Sequence, residues 1–297
     1  MNKILTKYKN GNFMVTLFSD GSKIRWNNED HFSPQFPESI DMKISNRCDM
    51  GCAYCHEQST CDGAIADLNH PLLDSLHQGT ELALGGGNIL ENPGLEDFLI
   101  RMREKGIICN ITLHVEHFRT NFNYIQYLVE QHLVYGVGIS VNNNINLETI
   151  NLLRSIPNAV VHCIAGVVQP EVLEKMALND LKLLLLGYKN FGRGVAYKKK
   201  DENYSIDRGI EWLRENLAWL RDNFKLVSFD NLALRQLHVR EFVGEEVWSQ
   251  NYMGDDGQFT MYVDLVEQTF AKSSISERMP ICSDNIDELF ARVRSNC

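Results

Sequence analysis

Between residues 39 and 190, short apolar runs alternate with segments whose apolar positions recur at helical spacing. Residues 40–44 read as a strand leading into a cysteine-rich loop, 71–78 as a helix, and 80–84 as a second strand that ends in Gly85-Gly86-Gly87-Asn88. Helices over 94–105, 124–132 and 147–155 then separate strands over 107–115, 136–141 and 159–168, and a helix opening at Pro170 precedes a sixth strand over 181–186. Strands separated by helices predict right-handed crossovers and a parallel sheet, and six of them predict a partial (β/α)6 TIM-like barrel of the α/β class.

The flanks read differently. Residues 12–18 and 23–26 are β-prone runs around Asp20-Gly21, a hairpin signal, and an Asn/Pro-rich piece over 27–37 follows. Residues 1–38 are therefore expected to form a small N-terminal β-hairpin appendage with a linker, 39–200 the core, and 201–297 a C-terminal α+β extension capping the barrel mouth. In that extension 206–224 has the spacing of one long amphipathic helix with Trp212, Leu213, Leu217 and Leu220 as its buried stripe. A strand over 226–229, a hairpin over 259–264 and 268–271, and a closing helix over 284–294 complete the expectation.

Composition narrows the classes. With 297 residues and 44% hydrophobic content the chain can bury a sizeable core, and no apolar run approaches the length of a membrane span. Eight cysteines without a secretory signal beside them argue for a reducing compartment, so a cytoplasmic location is expected. The formal net charge of −10 argues against a broad non-specific nucleic-acid footprint.

The chemistry concentrates at Cys48-Asp49-Met50-Gly51-Cys52-Ala53-Tyr54-Cys55-His56, which reads C-x-x-x-C-x-x-C. Three thiolates this close can hold soft metal, and three protein ligands on a four-iron cluster leave one iron open. Three other readings compete, one being plain buried apolar cysteines, against which three in eight residues on a glycine-containing loop argue. The last five residues also satisfy C-x-x-C-H, the c-type haem attachment pattern, but that belongs to exported proteins and residues 1–7 lack an apolar stretch. A structural zinc site with Cys61 or His56 as fourth ligand also fits the spacing, in a non-catalytic binding protein.

Cys48, Cys52 and Cys55, with Tyr54 before the third, resemble the signature loop of the radical S-adenosylmethionine (SAM) enzymes, and the run of elements over 39–190 matches that family's (β/α)6 core. The whole chain resembles the compact radical SAM proteins of phage and bacterial genomes, a group without an assigned substrate. The resemblance implies a [4Fe-4S] cluster on the three cysteines, its open iron chelating SAM. Reductive cleavage then gives methionine and a 5′-deoxyadenosyl radical that takes hydrogen from a peptide or small-metabolite substrate. It also implies an external donor such as flavodoxin or ferredoxin, and leaves nucleoside or RNA modification as an alternative chemistry.

Gly86-Gly87-Asn88 matches the family's Gly-Gly-Glu type segment, with Asn88 where an acid is usual; a turn or cap explains the same residues. By the same resemblance Ser140 and Asn142 are expected near the ribose or carboxylate of SAM, and Ile164 and Gly166 near the adenine. On the substrate side, His56, Glu57, His114, Glu116, Lys189 and Arg193 stand at strand ends, while Lys198, Lys199 and Lys200 read as solvated charge. Cys61, Cys163 and Cys282 are candidate hydrogen donors.

Overall fold

The computed structural model describes residues 3–143 and 145–295. The first three strands, β1 (Ile4–Asn10), β2 (Phe13–Phe18) and β3 (Lys23–Trp26), form an antiparallel sheet in the order β1-β2-β3. The expected hairpin is β2-β3, and β1 is an addition to it. Its inward Tyr8 and Asn10 alternate with exposed Lys7 and Lys9, a pattern too polar to read as a strand on hydrophobicity alone.

The second sheet contains β4 (Ser39–Ser45), β5 (Glu81–Gly86), β6 (Ile108–His114), β7 (Gly136–Ser140), β8 (Ala159–Ile164), β9 (Lys182–Leu186), β10 (Leu226–Phe229), β11 (Thr260–Asp264), β12 (Thr269–Ala271) and β13 (Met279–Pro280). Its order is β10-β9-β8-β7-β6-β5-β4-β11-β12-β13. Every pair from β10 across to β11 is parallel, and β12 and β13 turn back antiparallel. Six consecutive parallel strands, with α-helices between all but β4 and β5, make the expected partial barrel.

The C-terminal third extends the parallel sheet at both ends. It supplies β10 beyond β9 and β11 beyond β4, with Tyr262 in register with Asp41 and Asp264 with Lys43. Asn231 Nδ2, just after β10, donates to Asp256 Oδ1 at 2.8 Å and to Gly254 O at 3.2 Å, just before β11. The two edges of the parallel array are thus tied to each other. The long helix expected over 206–224 is instead two, Ser205–Glu215 and Leu217–Asn223, broken at Asn216, whose Nδ2 donates to Trp212 O at 2.7 Å. Over 71–78 the chain makes only a 3₁₀ turn, Pro71–Ser75. Among the described residues no helix is long and apolar enough to cross a membrane.

The strands have two unlike faces. Ile40, Met42, Leu82, Leu84, Ile111, Ile139, Val161, Leu183 and Leu185 are buried and join one core with helix residues such as Phe98, Leu128, Leu153, Leu173 and Leu217. The alternate positions Asp41, Lys43, Ala83, Gly85, Thr112, Ser140 and His162 face inward and line a cavity. The main core therefore lies between sheet and helices, and the barrel interior is left open by small and polar side chains. Adjacent leucines test this. Leu183→Ala, in the core, is expected to cost about 2–5 kcal/mol, whereas Leu184→Ala, already against the cavity, is expected to cost less than about 1.5 kcal/mol. Urea unfolding of both variants reads the difference, and equal losses would overturn the two-face description.

Candidate active site

Strand β4 delivers the chain into the cysteine loop at the carboxyl end of the barrel, where parallel β/α barrels carry their sites. The loop is pinned at its root. Cys48 N–H donates to Thr60 O at 2.7 Å and Thr60 N–H to Asn46 O at 3.0 Å, while Cys55 N–H closes a turn on Cys52 O at 3.2 Å. The end of β5 presses on this root, with Gly87 N–H donating to Ser45 O and Asn88 N–H to Arg47 O, both at 2.6 Å. A Cβ on Gly87 would stand 2.2 Å from Arg47 O, and one on Gly86, at φ +110°, would stand 2.3 Å from Ser45 O. Only glycine permits that approach. On the other side Arg193 N–H donates to Cys55 O at 3.1 Å and the Tyr197 ring meets Tyr54 edge-on at 5.7 Å.

Cys48, Cys52 and Cys55, all part-buried and without disulfides, open onto one cavity of about 440 Å³. Tyr54, Gly86, Gly87, Ser140 and Ile164 line it with them. Three other expected cofactor contacts do not. Asn88 is buried, its Oδ1 accepting from Leu90 N–H at 3.3 Å and its Nδ2 donating to Glu91 Oε1 at 3.0 Å, so its amide caps a 3₁₀ turn. Asn142, half-buried, has its Nδ2 3.4 Å from His114 Nε2. Gly166 packs on the helix Ser205–Glu215, where a Cβ on Gly209 would stand 3.0 Å from its Cα.

Of the substrate-side candidates, His56, Glu57, His114, Lys189 and Arg193 line the cavity, while Glu116 pairs with Arg119 at 3.1 Å. The three candidate hydrogen-donor cysteines do not line it. Cys61 and Cys282 are exposed, and Cys163 is buried in the core between sheet and helices, where desolvation pushes its thiol up to about 12. Asp41, Lys43, Asp230, Tyr262 and Ser274 line the cavity without having been expected there. For Asp41 and Lys43 a signal was available in the period-2 alternation of Ile40-Asp41-Met42-Lys43-Ile44.

One wall is a buried polar network. Lys43 Nζ lies 3.2 Å from Glu57 Oε2 and 3.1 Å from Asp264 Oδ2, and Tyr262 OH donates to Glu57 Oε1 at 3.0 Å. His56 Nε2 is 3.2 Å from both Glu57 Oε1 and Lys189 Nζ, and Lys189 also donates to Ser274 Oγ at 2.8 Å. Burial opposes the Glu57 charge, but the His56 hydrogen bond and the Lys43 and Arg278 cations outweigh it and hold the carboxyl at about 2. Desolvation raises Asp41, partly offset by Lys189, and raises the Cys48 and Cys52 thiols. Among the described residues, the His, Cys, Asp and Glu ligand atoms lying within 4.8 Å of one another form one trio, Cys48, Asp49 and His117. That trio includes the 2.7 Å contact of His117 Nε2 with Asp49 Oδ1, and the three loop sulfurs do not make such a trio.

His162, on the cavity wall of β8, is shifted by burial alone from 6.5 down to about 4. The unfolded chain takes up a proton near 6.5 that the folded state refuses until about 4, so acid in that window favours unfolding. Wild type is therefore expected to lose stability relative to His162→Gln between those two pH values, and to run parallel to it above 6.5. Urea midpoints across pH check this, and parallel curves throughout would overturn it.

No family model and no curated protein matches the sequence. Among solved structures the chain resembles SuiB of Streptococcus suis. Against SuiB bound to the precursor peptide SuiA the TM-score is 0.65 at 10% identity, covering 98% of this chain and 88% of that one. Against SuiB bound to S-adenosylmethionine it is 0.59 at 10% identity, covering 96% and 88%. At such identity the likeness is one of fold: this chain and SuiB share the partial β/α barrel described above.

Proposed function

We propose that this chain is a radical SAM enzyme in which Cys48, Cys52 and Cys55 hold a [4Fe-4S] cluster and SAM binds beside it in the barrel cavity. The observation that carries the reading is the opening of all three thiols onto one cavity at the carboxyl ends of parallel strands, in a fold whose relative SuiB binds S-adenosylmethionine. The donor set fits the group. Ligands around a single tetrahedral zinc with Zn–S of about 2.3 Å stand about 3.8 Å apart, whereas a cubane interposes an iron behind each sulfur and spreads them. Loop sulfurs that do not gather within 4.8 Å support the cluster over a zinc staple.

When bound, the cluster supplies the electron that cleaves SAM to methionine and the hydrogen-abstracting 5′-deoxyadenosyl radical. The chain's own residues do the rest. Gly86 and Gly87 fix the root of the cysteine loop, Tyr54 covers Cys52 and Cys55, and Ser140 and Ile164 offer a polar and an apolar contact to the nucleotide. Asn88, Asn142 and Gly166 stand outside that lining. SuiB's complex with its precursor peptide supports a peptide as substrate, and the polar wall of Asp41, Lys189 and Tyr262 would orient it. A low-potential carrier of the flavodoxin or ferredoxin type supplies the electron. Free thiols at each described cysteine support a reducing, cytoplasmic setting.

Anaerobic reconstitution with iron and sulfide, followed by dithionite and SAM, is expected to yield 5′-deoxyadenosine on chromatography. Replacing Cys48, Cys52 or Cys55 by Ala is expected to abolish both iron uptake and product, while Cys61→Ala keeps both. Iron-loaded wild type that forms no product sinks the reading, as does stoichiometric zinc lost on Cys61→Ala.

A further inference from the structure

Asp41 is the one exposed residue of β4. Since β4 runs between β5 and β11 inside the sheet, with Ala83 and Tyr262 beside Asp41 in register, that exposure is to the cavity. Four residues of strand, about 13 Å, separate it from Ser45 at the root of the cysteine loop. Asp41 therefore stands deep in the barrel, below the level at which the three thiols open.

Most charged groups of this wall already have partners. Lys43 faces Glu57 and Asp264. Lys189 donates to Ser274 Oγ at 2.8 Å, with its Nζ 3.2 Å from His56 Nε2. Asp230 Oδ1 accepts from the N–H groups of Gly187 and Ala233 at 2.9 and 2.7 Å. Asp41, by contrast, accepts no hydrogen bond and forms no ion pair among the described residues. Burial raises its carboxyl, Lys189 draws it back down, and Asp256, Asp230 and Glu57 push it up again. A carboxylate so placed lacks both bulk water and a matching charge, and a ligand that brings a cationic donor supplies what is missing.

The shape of the site favours an aliphatic arm. Ala83, Ile164, Leu184 and Leu186 line the same cavity, and a largely apolar pocket orients its ligand through a few fixed polar groups. The stem of a lysine or arginine lies readily along apolar surface while its head seeks a polar partner.

Resting on the radical SAM reading, we infer that Asp41 sets substrate specificity by receiving an ammonium or guanidinium group carried on an aliphatic arm, such as the lysine or arginine side chain of a peptide. The cation fastens the end of the arm deep in the barrel, and the carbons above it face the cysteine loop. No bond forms or breaks at Asp41.

The probe is n-butylammonium chloride, titrated into anaerobically reconstituted protein and followed by saturation-transfer NMR, with 1-butanol as its neutral counterpart. Wild type is expected to give a saturable signal with the amine and a much weaker one with the alcohol. Asp41→Asn is expected to raise the Kd for the amine at least about tenfold. Lys189→Met, which removes the cation that competes for Asp41, is expected to lower it, a change opposite to that of general damage to the fold. Displacement of the amine by a pentapeptide with a central lysine, and not by its norleucine counterpart, identifies a peptide as the source; displacement by neither identifies a small amine, and both uphold the site. Equal binding of butanol, a Kd indifferent to Asp41→Asn, or weaker binding in Lys189→Met overturns it. So does loss of the amine signal on adding SAM, which assigns Asp41 to the cationic groups of SAM itself. Wild type that binds the amine but forms no 5′-deoxyadenosine with dithionite overturns the radical SAM reading, which keeps the two failures distinct.

Discussion

Lys43 is the point through which the site is held together. Its ammonium is 5% exposed between Glu57 of the cysteine loop and Asp264 of the C-terminal strand β11. Asp264 is itself committed, since its Oδ1 accepts from Val266 and Glu267 N–H as the chain turns out of β11. Charges taken this far from water are tolerated only when each is matched, and stranding one of a buried set typically costs about 3–5 kcal/mol. Three segments remote in sequence are thereby locked into one arrangement. The cysteine loop cannot shift without unpairing Lys43, nor can β11 leave the edge of the barrel.

The unlike faces of the barrel strands have a direct functional consequence. In a closed eight-stranded barrel the interior is a packed core of branched side chains. Here one set of apolar side chains packs under the helices, and the interior carries Asp41, Thr112, Ser140 and His162 beside Ile164, Leu184 and Leu186 around open space. The packed core and the cavity are assigned to opposite faces of the same strands. A ligand inside the barrel meets polar groups whose proton affinity the surroundings have already shifted, as the depressed His162 illustrates.

The glycine run after β5 shows how one feature serves both parts. Read alone, Gly86-Gly87-Asn88 is either a turn or a ligand contact. Its backbone bonds Ser45 and Arg47, its amide caps a turn, and its glycines still reach the cavity. Holding the cysteine loop from one side and facing the cavity from the other are compatible because a residue without a side chain can be contacted on both.

Local pattern was enough to determine the six strands over residues 39–190, the helices after β5 and the cysteine loop at the end of the first strand, though not the 3₁₀ turn that stands in place of a helix over 71–78. Parallel order follows from crossovers, and a C-x-x-x-C-x-x-C spacing needs no long-range partner to be recognised. What tertiary structure decided lies in contacts between distant segments. The break at Asn216, the joining of β10 and β11 to the two edges of the barrel, and the placing of Asn88, Asn142 and Gly166 outside the cavity lining depend on what packs against them. So does the Lys43 network, whose members Glu57, Tyr262 and Asp264 become neighbours only when a strand more than 200 residues downstream pairs beside β4. Hydrophobic periodicity reports which face of an element is buried; it carries no information about which distant charge will be there to meet it.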